Sequence, residues 1–264
     1  MKLAISNIAW TAKDDDEMYC FLNQNDYRGL EIAPTRLFPD NPYDCIEKAR
    51  DYSNALFDSY NLKICSMQSI WFGRNEKLFG TNKERFELLN YTKKAIDFAS
   101  VIGCNNLVFG SPNNRIMEDD SQFDIAVDFF RELGVYSFDN NTVLSMEANP
   151  EIYGTNFINS TEQNIKFVKT VSSPGFMINL DFGTIIQNNE NLNMVADNLN
   201  LINHVHISEP YLAKVEQRKE HNELYEILKD NKYEKYVSIE MKNLKDLDRV
   251  KHAISYIKKV FGGT

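Results

Sequence analysis

Short apolar segments with high β-propensity alternate with longer amphipathic or charged segments along the whole chain. About eight such pairs follow one another, and no stretch rich in proline, glycine and serine separates them as a linker would. Strands that are joined through helices pair in parallel, because the helix returns the chain to the same end of the sheet. The predicted strands span residues 3–8, 29–33, 63–69, 106–110, 143–148, 176–181, 203–208 and 236–241.

The number of repeats and the chain length together indicate a fold class. A chain of 264 residues is close to the roughly 250 residues of a (β/α)8 TIM barrel, which forms one domain in spite of its length. The competing open, doubly wound sheet carries a glycine-rich phosphate loop after its first strand, and the segment SNIAWTAKDDD has none. We therefore expect residues 1–264 to form a single α/β domain with a TIM barrel fold.

Helices are predicted from apolar residues at helical spacing. Such a stripe runs over residues 83–102, and Gly103 provides a natural stop because glycine adopts the left-handed backbone of a helix C-terminus. A last helix is predicted over residues 243–261, ahead of Gly262. The asparagine-rich segment 187–200 keeps an apolar face, so we interpret it as biased composition rather than low complexity.

Charge and composition narrow the classes of partner and compartment. The formal net charge of -9 opposes the phosphate backbone of nucleic acid. No run approaches the roughly 18 apolar residues of a membrane span, and MKLAISNIAW turns polar too early for a signal peptide. We expect a cytoplasmic protein without a nucleic-acid or membrane partner; the sequence leaves a homo-oligomer open. The scattered cysteines are expected to be reduced packing residues: Cys20, Cys45, Cys65 and Cys104.

Acidic and imidazole side chains interrupt four consecutive predicted strands. Strand side chains alternate between two faces, and strands of parallel folds usually carry long apolar runs. In VLSMEAN, MINLDFG, HVHISE and VSIEMK the large apolar residues share one face. If that face packs on the helices, the other points into the barrel near the C-terminal strand ends, where TIM-barrel active sites lie. It carries what we call the four-residue cluster, Glu147, Asp181, His206 and Glu240.

A divalent cation would resolve the charge conflict within the four-residue cluster. Buried carboxylates that converge repel one another strongly unless a cation lies among them. Three carboxylates and one imidazole form an oxygen-rich site that suits Mn²⁺ or Mg²⁺, and Co²⁺ or Zn²⁺ could also occupy it. The alternative is that each residue pairs separately with Lys, Arg or a backbone amide. That alternative has to explain why an acidic or imidazole side chain occurs on the inward face, near the C-terminal end, of each of four consecutive predicted strands.

The same segments carry a family resemblance that covers nearly the full length. LSMEANP, MINLDFGT, HVHISEP and VSIEMK resemble the xylose isomerase-like TIM barrel superfamily, the sugar phosphate isomerases and epimerases that include tagatose 3-epimerase and inosose dehydratase. The resemblance implies that the four-residue cluster binds the metal. It favours His206 over His204, because the family ligand directly precedes a turn that matches Ile207-Ser208-Glu209. We expect His204 to be a satisfied core histidine one layer deeper.

The resemblance also implies a reaction on a small-molecule carbohydrate. The sugar would bind the metal through its carbonyl and a neighbouring hydroxyl, with Glu147 and Glu240 on opposite sides of the reacting carbon. One glutamate would remove a proton to give a cis-enediolate, and the other would return one, as an isomerase or epimerase requires. Thr184 stands where epimerases commonly carry a histidine, and residues 149–153 offer no clear match for a second, substrate-holding glutamate. These departures weaken the assignment to ketose 3-epimerases specifically.

Three other functions stay open. A dehydratase of the inosose type shares the metal and the proton abstraction but expels a hydroxide. An endonuclease for abasic DNA has the same fold, but its trinuclear zinc site needs many more histidines than the 4 of this chain. A non-catalytic binding protein that has kept the barrel would retain no divalent metal, and its function would not depend on Glu147 or Glu240.

Several residues after the predicted strands are candidate substrate contacts. Glu31 could orient a hydroxyl or form a salt bridge within the barrel. Arg115 could hold a phosphate or carboxylate or extend into solvent, and the tryptophans could stack on a sugar face or cover the barrel. Tyr153 is a further contact on the loop after strand five. The main set is Trp10, Glu31, Trp71, Ser111, Arg115, Asn149 and His221.

Overall fold

The structure is a computed structural model and describes residues 1–263. Within these residues, eight parallel strands follow one another in sequence order and close into a barrel, since β8 pairs with β1. This confirms the predicted (β/α)8 TIM barrel and excludes the open, doubly wound sheet. The strands are β1 Lys2–Ser6, β2 Gly29–Ile32, β3 Lys63–Met67, β4 Leu107–Phe109, β5 Leu144–Glu147, β6 Phe176–Asp181, β7 Ile202–Ile207 and β8 Tyr236–Ile239.

Helices connect the strands and cover the outside of the barrel. Between the longer helices lie short helical segments that shape the loops at the C-terminal ends of the strands. Within residues 1–263 the α-helices are α1 Asp15–Gln24, α2 Pro34–Leu37, α3 Ile46–Tyr60, α4 Asn82–Val101, α5 Phe123–Asp139, α6 Thr161–Val171, α7 Phe182–Asn188, α8 Asn193–Asp197, α9 Lys219–Asp230 and α10 Leu247–Phe261.

Capping side chains explain where two of the helices begin. The Thr81 hydroxyl accepts a hydrogen bond from the Glu84 backbone, and the Glu84 carboxylate accepts one from the Thr81 backbone, so α4 starts within one residue of its predicted position. The last helix starts four residues later than predicted. Asp246 caps it by accepting from the Arg249 backbone at 3.2 Å, which leaves residues 243–246 in the loop after β8.

The main apolar core lies between the barrel and its helices. Its most aromatic part joins Phe109, Phe130, Phe167 and Phe176, all nearly completely buried. Phe130 stacks on Phe176 with ring centroids 5.0 Å apart, and Phe109 meets Phe130 edge to face at 4.8 Å. Aromatic pairs at such distances stabilise a core beyond the burial of their area. This aromatic part of the core therefore packs β4 and β6 against α5 and α6.

The barrel interior is polar below the strand ends as well. On the same face of β5 as Glu147, the Ser145 hydroxyl donates to the side-chain Oδ1 of Asn106 at 2.6 Å, and the Asn106 side-chain amide donates to the Ser66 hydroxyl at 3.0 Å. Such pairing removes most of the cost of burying these groups.

Among the described residues, no helix is long and apolar enough to cross a membrane.

Candidate metal centre

Neighbouring strand ends bring the four-residue cluster together. Glu147 and Asp181 end β5 and β6, His206 is the penultimate residue of β7, and Glu240 directly follows β8. Asp181 lies opposite His206 in the strand register. A one-residue irregularity between Ile178 and the next position shifts β6 against β7, which sets this register. One ligand atom from each of the four side chains lies within 4.8 Å of the other three.

His206 stands between carboxylates on both sides of its ring. Its Nδ1 lies 2.9 Å from Glu147 Oε1 and 3.2 Å from Glu240 Oε2, yet this buried nitrogen makes no hydrogen bond. Its Nε2 lies 2.9 Å from Glu31 Oε2. Burial lowers the pKa of His206, but the surrounding carboxylates, Glu31 first, raise it well above its usual range, so without a cation the ring carries both protons. With a cation in the cluster, a proton kept on Nε2 would satisfy Glu31 and leave the lone pair of Nδ1 for the ion.

Glu31 contacts the imidazole of His206 and does not line the pocket. Its side chain is completely buried, with His204 Nε2 at 3.3 Å and the Gln68 amide at 3.5 Å. Burial alone would raise the pKa of Glu31, but the imidazoles of His206 and His204 hold it well below its usual range. Of the two roles considered for Glu31, the structure therefore supports the contact within the barrel. A carboxylate behind a ligating histidine fixes the tautomer and orientation of the ring.

Asp181 is held in place by the first turn of α7 and by Ser208, which directly follows β7. Its Oδ2 accepts from the backbone and the hydroxyl of Thr184, each at 2.8 Å, and its Oδ1 accepts from the Ser208 hydroxyl. Burial raises the pKa of Asp181 to about 6, and the neighbouring Glu147 carboxylate adds to this increase. Thr184 itself is buried, and its hydroxyl oxygen also lies 2.9 Å from the Ala148 carbonyl oxygen. Thr184 thus orients the Asp181 carboxylate and does not line the pocket.

Amide groups surround Glu147. The Asn179 amide donates to its Oε1 at 2.7 Å, and the Asn149 amide donates to its Oε2 at 3.2 Å. The side-chain Oδ1 of Asn149 in turn accepts from Arg115 at 2.7 Å, which turns the side-chain amide nitrogen towards Glu147. A Cβ atom on Gly110 would approach Glu147 Oε2 to 3.0 Å, so the glycine keeps space beside this carboxylate.

The chemistry of this donor set fits a divalent cation. Burial raises the pKa of Glu240, as it does that of Asp181, because nearby positive charge does not offset the loss of water. The lone pair on His206 Nδ1 points at the same space as the three carboxylates. A cation at that point would neutralise the repulsion and use the unpartnered nitrogen. Three oxygen ligands and one nitrogen ligand suit Mn²⁺, Mg²⁺, Co²⁺ or Zn²⁺.

A pocket of about 210 Å³ opens over the cluster at the C-terminal end of the barrel. Three loop residues on its wall, Ser69, Ser111 and Leu212, have left-handed backbones with φ of 55°, 43° and 51°. Such conformations cost free energy in residues other than glycine and cluster at functional sites. The pocket is lined by Gln68, Ser69, Val108, Gly110, Ser111, Pro112, Glu147, Asn149, Tyr153, Asp181, Ser208, Leu212 and Glu240.

Among the candidate substrate contacts, Ser111, Asn149 and Tyr153 line the pocket. Sequence reasoning missed Gln68, Ser69, Ser208 and Leu212. The first two fall within predicted strand 63–69, but β3 ends at Met67, so both belong to the loop at the mouth. A rule that treats the last two residues of a predicted strand as site candidates would have found them.

The structure places the other four candidates inside the protein. Trp71 is buried and donates to Thr92, and Trp10 is buried and donates to Asp15. These contacts fasten loops to helices, because a buried indole needs an acceptor for its N–H. The tryptophans therefore cover the barrel and have no face to offer a sugar.

Arg115 and His221 are also completely buried. Arg115 turns back to the Glu147 carbonyl at 2.9 Å and does not extend into solvent. His221 packs in the helical layer, where its Nδ1 lies 3.0 Å from the Tyr256 hydroxyl. Neither side chain lines the pocket, which corrects their assignment as direct substrate contacts. Arg115 keeps an indirect link to the cluster through Asn149.

Comparison with known protein families identifies the class to which this fold belongs. The family model described as xylose isomerase-like TIM barrel matches residues 21–260. The chain therefore belongs to the xylose isomerase-like TIM barrel family. No curated protein matches the sequence.

Solved structures share the whole fold at low sequence identity. 3-Keto-D-glucoside 4-epimerase from E. coli, in its apo form, is 18% identical with a TM-score of 0.80, and 98% of this chain and 99% of that chain are covered. D-Psicose 3-epimerase in the presence of D-fructose is 15% identical with a TM-score of 0.80, and both chains are covered completely. The IOLI protein with a bound zinc atom is 16% identical with a TM-score of 0.72, again over 100% of both chains. At these identities the likeness shows the fold.

Proposed function

We propose that this protein is a metal-dependent isomerase or epimerase of a sugar or sugar derivative. The observation that carries the proposal is the unpartnered Nδ1 of His206, which lies 2.9 Å from Glu147 and 3.2 Å from Glu240 beneath an open pocket. Membership of the family and the titles of the epimerases with the same fold support it.

The four-residue cluster would hold the cation, with Mn²⁺ or Mg²⁺ as the preferred ions and Co²⁺ or Zn²⁺ as alternatives. When bound, such an ion polarises a carbonyl and stabilises negative charge that develops on oxygen. Glu31 fixes the tautomer of His206, while Thr184 and Ser208 fix Asp181. The chain thus orients its ligands through buried neighbours before any substrate arrives.

Glu147 and Glu240 are the proposed acid and base. Both line the pocket, and both lie next to the same nitrogen of His206. A carbon placed between them can lose a proton to one carboxylate and gain a proton from the other, with an enediolate of the sugar between the two steps. Ser111, Asn149 and Tyr153 are proposed to position the hydroxyl groups, since they line the same pocket.

Deuterium exchange tests the proposal directly. Protein loaded with Mn²⁺ or Mg²⁺ is incubated in D₂O with ketoses and inososes, and NMR follows deuterium incorporation at carbon. We expect exchange that falls by a factor of about 10²–10⁴ in Glu147→Gln and in Glu240→Gln. Glu151→Gln is the matched control, because Glu151 is exposed on the loop after β5 and does not line the pocket.

The same experiment separates the competing functions. Loss of hydroxide from an inosose, without return of the proton, would identify a dehydratase. An absence of exchange across the panel, with one equivalent of metal measured in the protein, would exclude isomerase and epimerase chemistry on these substrates. Failure to retain any divalent metal would favour a binding protein.

A further inference from the structure

We propose that the pocket selects an uncharged monosaccharide and discriminates against the phosphate ester of the same sugar. This inference rests on the proposed function and specifies its substrate class. It follows from three features of the pocket: the charges that line it, the backbone groups at its rim, and its size.

The lining carries carboxylates and no cationic side chain within residues 1–263. Three carboxylates contribute -3 and a divalent cation contributes +2, so the loaded site has a formal charge of -1. Recognition of a phosphate normally uses Arg or Lys, with Arg often forming paired hydrogen bonds. Arg115 is the cation nearest to this role, but its guanidinium bonds the Glu147 carbonyl and the Asn149 amide oxygen from behind.

Other Lys and Arg side chains on the loops at the C-terminal ends of the strands form salt bridges with neighbouring carboxylates or lie outside the pocket. Each arginine in this group has its own acidic partner, so turning to a substrate would break an ion pair. Lys242 follows Glu240 closely in sequence, but it is exposed and does not line the pocket. The pairs are Arg36 with Asp15, Arg74 with Glu76 and Arg218 with Glu209.

Three backbone N–H groups at the rim are also occupied. TIM barrels frequently bind phosphate with the loops after strands seven and eight. Here the N–H of Tyr211 donates to the Tyr153 hydroxyl at 2.7 Å, that of Leu212 to the Glu209 carbonyl at 2.9 Å, and that of Lys242 to the Leu212 carbonyl at 2.9 Å. These three N–H groups are therefore not available to an anion.

The pocket instead suits the hydroxyls and carbon–hydrogen faces of one sugar. Its volume of about 210 Å³ lies below the roughly 300–1,000 Å³ of pockets for drug-sized ligands. Tyr153 accepts from the Tyr211 backbone, and within residues 1–263 its own proton has no acceptor. Burial raises the pKa of Tyr153 to about 12, so the phenol stays neutral and can donate to a hydroxyl oxygen. Val108, Pro112 and Leu212 supply apolar contacts.

Matched pairs of substrates test this selectivity. Metal-loaded protein is given a free ketohexose and its terminal phosphate ester, then a free ketopentose and its ester, and deuterium exchange is followed by NMR. We expect kcat/KM to be at least about tenfold higher for each free sugar, a difference of about 1.4 kcal/mol. An ester that exchanges as fast as its free sugar, or faster, would overturn the inference.

Competition distinguishes poor binding from poor chemistry. The ester at tenfold excess over an active free sugar should change the exchange rate of that sugar by less than about twofold. Inhibition by the ester with a Ki near the KM of the free sugar would contradict the inference even if the ester itself does not react. If neither member of any pair exchanges, isomerase and epimerase chemistry on these sugars fails instead, so the two failures are distinguishable.

Discussion

Glu147 and Glu240 are chemically identical residues in two very different surroundings. Glu147 accepts hydrogen bonds from Asn179 at 2.7 Å and from Asn149 at 3.2 Å. The carboxylate of Glu240 has His206 Nδ1 as a neighbour at 3.2 Å and, within residues 1–263, no amide donor. Burial raises the pKa of Glu240, which shows that its charge is poorly compensated by the protein.

The difference shows which parts of the site are organised by the protein alone. Hydrogen bonds from two amides fix the Glu147 carboxylate before metal or substrate arrives, and Arg115 fixes one of those amides. Glu240 lacks such contacts, so its orientation depends on the cation that the cluster would bind. Two carboxylates with unequal support can serve the same reaction as different partners, one pre-oriented and the other adjustable.

The largest expected effect is a difference in folding stability between Glu147→Gln and Glu240→Gln in the metal-free protein. In Glu147→Gln the new amide nitrogen must face either the Asn179 or the Asn149 amide, so one buried donor loses its acceptor and unfolding becomes easier by about 1–3 kcal/mol. In Glu240→Gln a poorly compensated charge disappears, so stability should stay equal or rise. Urea unfolding of both variants with the metal chelated measures the difference. Equal destabilisation by the two substitutions would mean that the carboxylates are equally supported.

The parity of the strands was sufficient to predict which side chains converge. In β5 to β8 every second residue faces the interior, so one polar position in each strand identifies the inward face without any knowledge of the loops. The barrel was predictable for the same reason, because eight alternating units of about the right length have few other arrangements. The four-residue cluster depends on strand position alone, and its members come together as the sequence pattern predicts.

The support around the cluster could not be predicted in this way. Arg115 lies in a loop after β4, and nothing in GSPNNR indicates that its guanidinium turns inward to Asn149. His221 lies in α9, whose packing decides that it contacts Tyr256 and not a substrate. Loop conformation and helix packing depend on many distant contacts, whereas strand parity depends on the residue count alone. The sequence pattern therefore predicted the four converging side chains better than the residues that orient them.

The second prediction concerns Arg115, which connects the supported carboxylate to the core. Burial lowers the pKa of Arg115 to about 9, so it still carries its charge at neutral pH. In Arg115→Met the Asn149 amide loses its fixed orientation, and we expect kcat to fall by about 10–100-fold with a smaller change in KM, as for outer contacts of other metal sites. Steady-state exchange kinetics give both values.

Arg36→Met is the matched control for Arg115→Met. Arg36 is also largely buried and ion-paired, with Asp15 at 2.6 Å, but it has no contact with the cluster. Arg115→Lys should recover part of the lost kcat, since it keeps the charge without the two-pronged contact. If Arg36→Met lowers kcat as much as Arg115→Met, the effect is one of general stability and the link through Asn149 is unimportant.

The smallest expected effect concerns a residue outside the pocket. Protonation of this residue lowers the folding stability at acidic pH, so its contribution has to be subtracted before the contributions of Glu147 and Glu240 are compared there. Burial lowers the pKa of His221 from 6.5 to about 4, and the nearby Arg218 adds to this decrease, while Glu220 opposes it. The unfolded chain therefore takes up a proton at His221 first as the pH falls below about 6.5, and the folded state loses stability down to about pH 4. Between pH 7 and pH 5 the free energy of unfolding should fall by about 1–2 kcal/mol less in His221→Gln than in the wild type, as measured by urea unfolding at each pH. His252→Gln is the control, because His252 is exposed on α10, and this variant should lose as much stability as the wild type. If His221→Gln also loses as much as the wild type, the acid sensitivity arises elsewhere. The carboxylates of the cluster would then be the next groups to test.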